Sequence, residues 1–112
     1  MKQDSRADQI YVNHMLECIA RVFEYSKGNE AVFKESRLIQ DAVIRNLQTM
    51  AESSQRLSDA SKAGVPEVPW RAISGFRNII VHDYLGVDLD VVWQVVAVDL
   101  PGLRDGLLRL KA

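Results

Sequence analysis

The stretch VDLDVVWQVVAVDLPGLRDGLLRL, residues 87–110, decides the fold class. Val91, Val92, Val95, Val96 and Val98 give it the β-branched content of a strand. A lone strand among helices would have no partner for its backbone N–H and C=O groups, so helix is the better assignment. Asp88 or Asp90 is placed to cap its start. Asp99, with Pro101 close behind, is expected to open a last short helix, which Leu103, Leu107, Leu108 and Leu110 pack back onto the core.

The rest of the chain supplies the helices that this assignment needs. Tyr11, Val12, Met15, Cys18, Ile19 and Val22 recur in steps of three and four, which gather on one stripe of a helix running from Asp4 to about Tyr25. SKGN then interrupts the pattern, with Gly28 as a plausible stop. Phe33, Ile39, Val43, Leu47, Met50 and Leu57 continue it, and could belong to one helix of nearly thirty residues lying antiparallel to the first. Gly64, Pro66 and Pro69 break the chain again. A further helix then carries Trp70, Ile73, Phe76, Ile80 and Val81 inward and is expected to end near Leu85, with Gly86 as its cap. The expectation is one all-α domain over residues 1–112, a bundle of four to five helices built on a long antiparallel helical hairpin.

Composition narrows the function classes. Hydrophobic residues make up 47% and charged residues 26%, the balance of a chain that folds. One cysteine, Cys18, has no partner within the chain and suits a reducing compartment, where it is expected to be a small buried apolar residue. The N-terminus is polar, and no apolar run approaches membrane-spanning length, so a cytoplasmic protein is expected. The formal charge of −1 argues against a protein that coats nucleic acid, and leaves phosphate contacts to local arginines. Phosphate-binding glycine loops, His-Glu-x-x-His metal motifs and serine-hydrolase elbows are all missing from the sequence.

What remains is SGFRNIIVHDYLG, residues 74–86, a segment fit for a core that nevertheless carries Arg77, Asn78, His82, Asp83 and Tyr84. A histidine in the last turn of a helix feels the partial negative charge of the carbonyl end, which should raise its pKa above about 6.5. Such a group suits general acid or base chemistry. Arg77 lies five positions earlier, about 140° around the axis, and Tyr84 returns to its face. His82 could move a proton of an RNA 2′-hydroxyl or a leaving 5′-oxygen while Arg77 neutralises phosphate charge and Asn78 orients either partner. One histidine cannot easily be both acid and base, which suggests two copies of the set across a dimer cleft. An ordinary helix-end network of Arg77, Asp83 and Tyr84 would use the same residues. His14, at the border of the first apolar stripe, reads as structural or exposed. Trp70 and Trp93 read as core residues, and Arg45 and Arg71 as solvated helix positions or an extension of a phosphate track.

Residues 77–84 spell R-x4-H-x-Y, and with the surrounding VPWRAISGFRNIIVHDYLGVDLDVVWQVVAVDLPGL, residues 68–103, the sequence strongly resembles the HepT-like branch of the HEPN superfamily. That resemblance implies a helical bundle, usually a homodimer, acting as the metal-independent ribonuclease toxin of a type VII-like toxin–antitoxin pair. No cofactor is implied. The partner in such pairs is a minimal nucleotidyltransferase that transfers AMP from ATP to the motif tyrosine. Carried onto this chain, Arg77 and His82 are the expected catalytic pair, Asn78 the supporting polar residue and Tyr84 the AMP acceptor. A bulky anion on Tyr84 would compete with RNA phosphate for Arg77. The alternative is a non-catalytic HEPN subunit that binds a nucleotide or presents substrate to the nucleotidyltransferase.

Overall fold

Leu89–Leu110 is helical throughout: α6 (Leu89–Gln94) passes through a π-helical turn (Val95–Asp99) directly into α7 (Leu100–Leu110). The computed structural model describes the backbone of residues 2–82 and 88–112 and the side chains of residues 6–77 and 88–112. Asp88 caps this helix, its carboxylate accepting from the Asp90 amide at 2.9 Å. The expected new start at Asp99 does not occur. Asp99 and Leu100 both keep right-handed helical dihedrals, and Asp99 makes no side-chain cap. Pro101 has no N–H to give to Ala97, and the wider turn just before it, closed by the Leu100 amide on the Val95 carbonyl, lets the chain continue without a break.

The remaining elements are α1 (Lys2–Ser26), α2 (Glu30–Glu35), α3 (Arg37–Arg56), α4 (Asp59–Gly64) and α5 (Trp70–His82). No strand occurs among the described residues, so the fold is all-α. The second predicted helix is two helices. Ser36 adopts an extended conformation (φ −127°, ψ 116°), and its hydroxyl accepts from the Ile39 amide to start α3 afresh. Its competing side-chain hydrogen bond is what a helix interior disfavours and a cap rewards. The break after Ser26 is made by two consecutive left-handed residues, Lys27 (φ 56°) and Gly28 (φ 62°).

α1 and α3 form the expected antiparallel pair: Asp8 meets Ser58, His14 meets Ser53, and Cys18 meets Thr49 as the two helices run past each other. Their shared interior holds Val12, Met15, Ile19, Val22, Val43, Leu47 and Met50, each at most 1% exposed. α5 lies against the other side of α3 with Ile73 and Phe76 buried. α7 closes the bundle with Leu100, Leu103 and Leu107 buried, but Leu108 points outward and is 52% exposed, contrary to the expected packing. Its position falls about 100° around the axis from Leu107, outside the stripe that Leu100, Leu103 and Leu107 define. Trp93 is half-buried and stacks on buried Phe33 at 5.4 Å between ring centroids, while Trp70 packs against the same core and donates its indole N–H to the Lys62 carbonyl.

Side chains as well as packing tie the ends of the bundle. The Asp8 carboxylate accepts the Ser58 amide at 3.0 Å and the hydroxyls of Ser58 and Ser61 at 2.5 Å each. Gln9 grips the C-terminus of α7, its amide donating to the Leu110 carbonyl at 2.8 Å and accepting from the Ala112 N–H at 2.9 Å. Among the described residues, no helix is long and apolar enough to cross a membrane.

Candidate active site

α5 carries three of the four predicted site positions. Ser74 and Phe76 flank the helix turn that presents Arg77, with Phe76 buried at 8% exposure and Arg77 outside on the solvent side. Asn78 and His82 lie in the same helix, their side chains outside the described residues, and Tyr84 lies outside them altogether, as do the predicted helix end at Leu85 and the cap at Gly86. By helical register, positions 71, 75, 78 and 82 share one face of α5, while position 77 lies about 140° around the axis from position 82.

The side chain that meets Arg77 is one the sequence did not single out. Glu52 of α3 places Oε1 at 3.9 Å from Arg77 Nε, and both side chains are about half exposed (55% and 48%). At that distance and exposure the pair is a loose ion pair, worth little to stability and free to rearrange around a ligand. Two residues along α3, Ser54 is fully buried and donates its hydroxyl proton to the Ala51 carbonyl at 2.6 Å, so Ser74 donates to Ser54 at 3.3 Å. This part-buried contact fixes α5 against α3 within one turn of the Glu52 and Arg77 pair. The signal for Glu52 is present in the sequence only as spacing: it follows Arg45 by seven positions and precedes Arg56 by four, which puts all three on one exposed face of α3.

On the opposite side of α3 a chain of polar groups crosses to α1. Thr49 donates its hydroxyl proton to the Asn46 carbonyl at 3.2 Å, so the Cys18 thiol donates to Thr49 at 3.4 Å. His14, 3.7 Å away through Nε2, then donates to the Cys18 sulfur, and its Nδ1 accepts from Ser53 at 2.6 Å. Burial pushes the Cys18 thiol up from its ordinary value, so it stays protonated. His14 and Cys18 are therefore structural, as the sequence implied, though Cys18 is hydrogen-bonded as well as buried. Arg71 and Arg45 are exposed. Among the described residues, no group of three His, Cys, Asp or Glu side chains is placed to hold a metal ion.

Comparison with known proteins gives this geometry a family. Residues 15–110 match the model described as "Ribonuclease HepT-like". The chain belongs to the HepT-like family. Its all-α bundle is the HEPN-type one that this family implies. A Methanocaldococcus jannaschii protein named "Gamma-glutamylcyclotransferase and putative RNase" is 36% identical over 91% of this chain, which spans only 46% of that larger protein. "Probable ribonuclease HepT" of Thermococcus cleftensis is 31% identical, covering 95% of this chain and 97% of its own length. The "mRNA nuclease HepT" of Shewanella oneidensis is 28% identical over 85% of this chain and 89% of its own. No solved structure matches. In this HepT-like chain, the R-x4-H portion of the motif lies entirely in α5, packed on α3 through Ser54 and Ser74.

Proposed function

We propose that this HepT-like chain is a metal-independent RNA endonuclease in which Arg77 holds the scissile phosphate and His82 transfers the proton. The observation that carries the reading is the placement of Arg77: solvent-exposed, held only loosely, and on the same helix that contains His82, in a family whose members include a protein named as an mRNA nuclease. An arginine so placed can exchange a weak carboxylate partner for a phosphate bidentately, and neutralise the charge that builds at phosphorus. Five residues of helix separate the two positions by about 7.5 Å along the axis and about 140° around it, so Arg77 reaches a phosphodiester group shared with His82 only through the length of its own side chain.

The biological setting in this proposal is a toxin–antitoxin pair. A minimal nucleotidyltransferase silences the nuclease by transferring AMP to Tyr84, with Asn78 supporting Arg77 and two copies of the chain assembling around the cleft. The whole of residues 1–112 serves as one HEPN domain in the cytoplasm.

The test is cleavage of total RNA by the purified protein in EDTA beside His82→Ala. Cleavage by the wild type and its loss in the variant is the expected result; equal cleavage, or none in either, would sink the nuclease reading. Intact mass after co-expression with the product of the neighbouring gene tests the control step. Gains in AMP-sized increments that disappear with Tyr84→Phe are expected.

A further inference from the structure

We infer that Arg45 and Arg56 of α3 hold the RNA backbone on either side of the phosphate bound by Arg77, so that the exposed face of α3 is the floor of a phosphate track. The inference rests on the nuclease reading above and deepens it, by naming residues outside the motif that take the flanking nucleotides of a single strand. Arg45, Glu52 and Arg56 are all exposed and fall within about 40° of one another around α3. Along the axis Arg45 lies about 10.5 Å before Glu52, and Arg56 about 6 Å after it. Glu52 is the residue that Arg77 meets from α5, at 3.9 Å. A phosphate that takes the place of Glu52 on Arg77 therefore lies between the two α3 arginines. Arg71, which the sequence grouped with Arg45, lies about 120° around α5 from Arg77 and stands outside this line.

Positive charge is left over on this face. The carboxylates four positions before the two arginines are spaced to pair with them, but both turn elsewhere: Asp41 to Arg37 at 3.7 Å, and Glu52 to Arg77. Among the described residues, neither Arg45 nor Arg56 makes an ion pair. α3 and Arg77 together set four arginines against two carboxylates, on a chain whose formal charge is −1. Such a local excess draws a polyanion to one face of an otherwise balanced molecule. Residues 37–56 contain no aromatic side chain, so this face gives bases nothing to stack on and meets the strand through its phosphates. Contacts of that kind are indifferent to sequence and sensitive to salt.

The experiment follows fluorescence anisotropy of labelled 2′-O-methyl oligouridylate and oligoadenylate, strands with no free 2′-hydroxyl, across a salt series. It compares the wild type, Arg45→Gln, Arg56→Gln, the double variant, and Lys111→Gln, which removes one exposed charge at the end of α7. Each α3 variant is expected to bind both strands about 3–10-fold more weakly, with the salt slope of log Kd reduced by about 0.7 per arginine, while Lys111→Gln binds as the wild type does. In cleavage of a fluorescent single-stranded RNA of mixed sequence in EDTA, the double variant should raise KM about 10-fold or more and leave kcat unchanged, because it loses binding common to ground and transition states. Wild-type affinity and slope in the double variant overturn the inference. So do an equal loss in Lys111→Gln, a loss confined to one of the two strands, and a fall in kcat with KM unchanged. Binding as expected with no cleavage of RNA by the wild type overturns the nuclease reading instead, and the track as a substrate site with it. Glutamine keeps helix propensity at both exposed positions, and unchanged thermal unfolding verifies that the bundle is intact.

Discussion

Asp8 stands at the start of α4 as a capping residue borrowed from another helix: its carboxylate takes both the Ser58 amide and the Ser58 hydroxyl, although fifty positions separate the two residues. The Ser58 hydroxyl then accepts from the Ser61 amide at 3.2 Å, so the local cap and the distant one are chained. The same contacts join the first turns of α1 to the return of the chain beyond α3.

Burial alone would raise the Asp8 pKa, but hydrogen bonds from Ser58 and Ser61 outweigh it and hold the carboxylate below its usual range, with Lys62 adding to the effect. A carboxylate lowered in the folded state stabilises above its unfolded pKa, and that contribution is lost as pH falls through the folded value. Asp8→Asn is therefore expected to lower the unfolding temperature at neutral pH, and to lose its difference from wild type in strong acid. Thermal unfolding followed by circular dichroism from neutral pH downward measures this. Asp8→Ala should cost about 1–3 kcal/mol, since it strands three donors.

Gly106 is where α7 comes closest to the loop after α4. A Cβ there would lie 2.6 Å from the Val68 methyl and 3.8 Å from Val65. Alanine would gain about 1 kcal/mol of helix propensity, yet both neighbours are buried and β-branched with little freedom to move. Gly106→Ala is expected to be net destabilising by about 1–3 kcal/mol in urea titration, whereas Gly102→Ala, with nothing within 4 Å, should be neutral or stabilising.

Gln9 both donates and accepts at the end of α7, which no carboxylate can do. Gln9→Glu should be worse than Gln9→Ala, because its charge would face the Leu110 carbonyl. Faster hydrogen exchange at the Ala112 and Lys111 amides, ahead of any loss in the core, is the expected signature.

The two histidines should separate cleanly. His14→Ala removes the middle of the chain from Ser53 to Thr49 and is expected to cost about 1–3 kcal/mol of stability, with RNA cleavage and its pH profile unchanged below the melting temperature. His82→Ala is expected to do the reverse. Melting curves and cleavage rates on the same preparations make the comparison.

Arg77→Lys tests the geometry of phosphate binding rather than its charge. Lysine keeps the charge but lacks the planar fork, so a rate well below wild type, by about 10-fold or more, is expected. A Lys variant as active as wild type would show that only a positive point charge is needed.

The helices were legible where periodicity was strong: Val12, Met15, Ile19 and Val22 on α1, and Val43, Leu47 and Met50 on α3, are buried as their spacing predicts. The break at Ser36 was not, because the apolar stripe runs on through it and only the extended backbone of one serine reveals the new start. Asp99 and Pro101 misled in the opposite direction. Their residue types signal a helix start, but a π turn supplies the room that Pro101 needs and the helix runs through. Glu52 was invisible for a different reason. Its meeting with Arg77 depends on how α3 and α5 pack, twenty-five positions apart in sequence, and nothing local to either residue encodes it.

The π turn at Val95–Asp99 places one residue more than an α-helix needs between two buried sets, Val92 with the turn's own first residues Val95 and Val96, and Leu100, Leu103 and Leu107 after it. That surplus makes the segment the one point in α6 and α7 where the chain can be shortened without turning one set away from the core. Deleting exposed Val98 should leave both sets in phase but take away the room that Pro101 needs, at a cost of about 3 kcal/mol, whereas deleting Arg104 would swing Leu107 about 100° around the axis and unfold the C-terminal end. The bundle thus carries its own length adjustment, in the helix that seals the core.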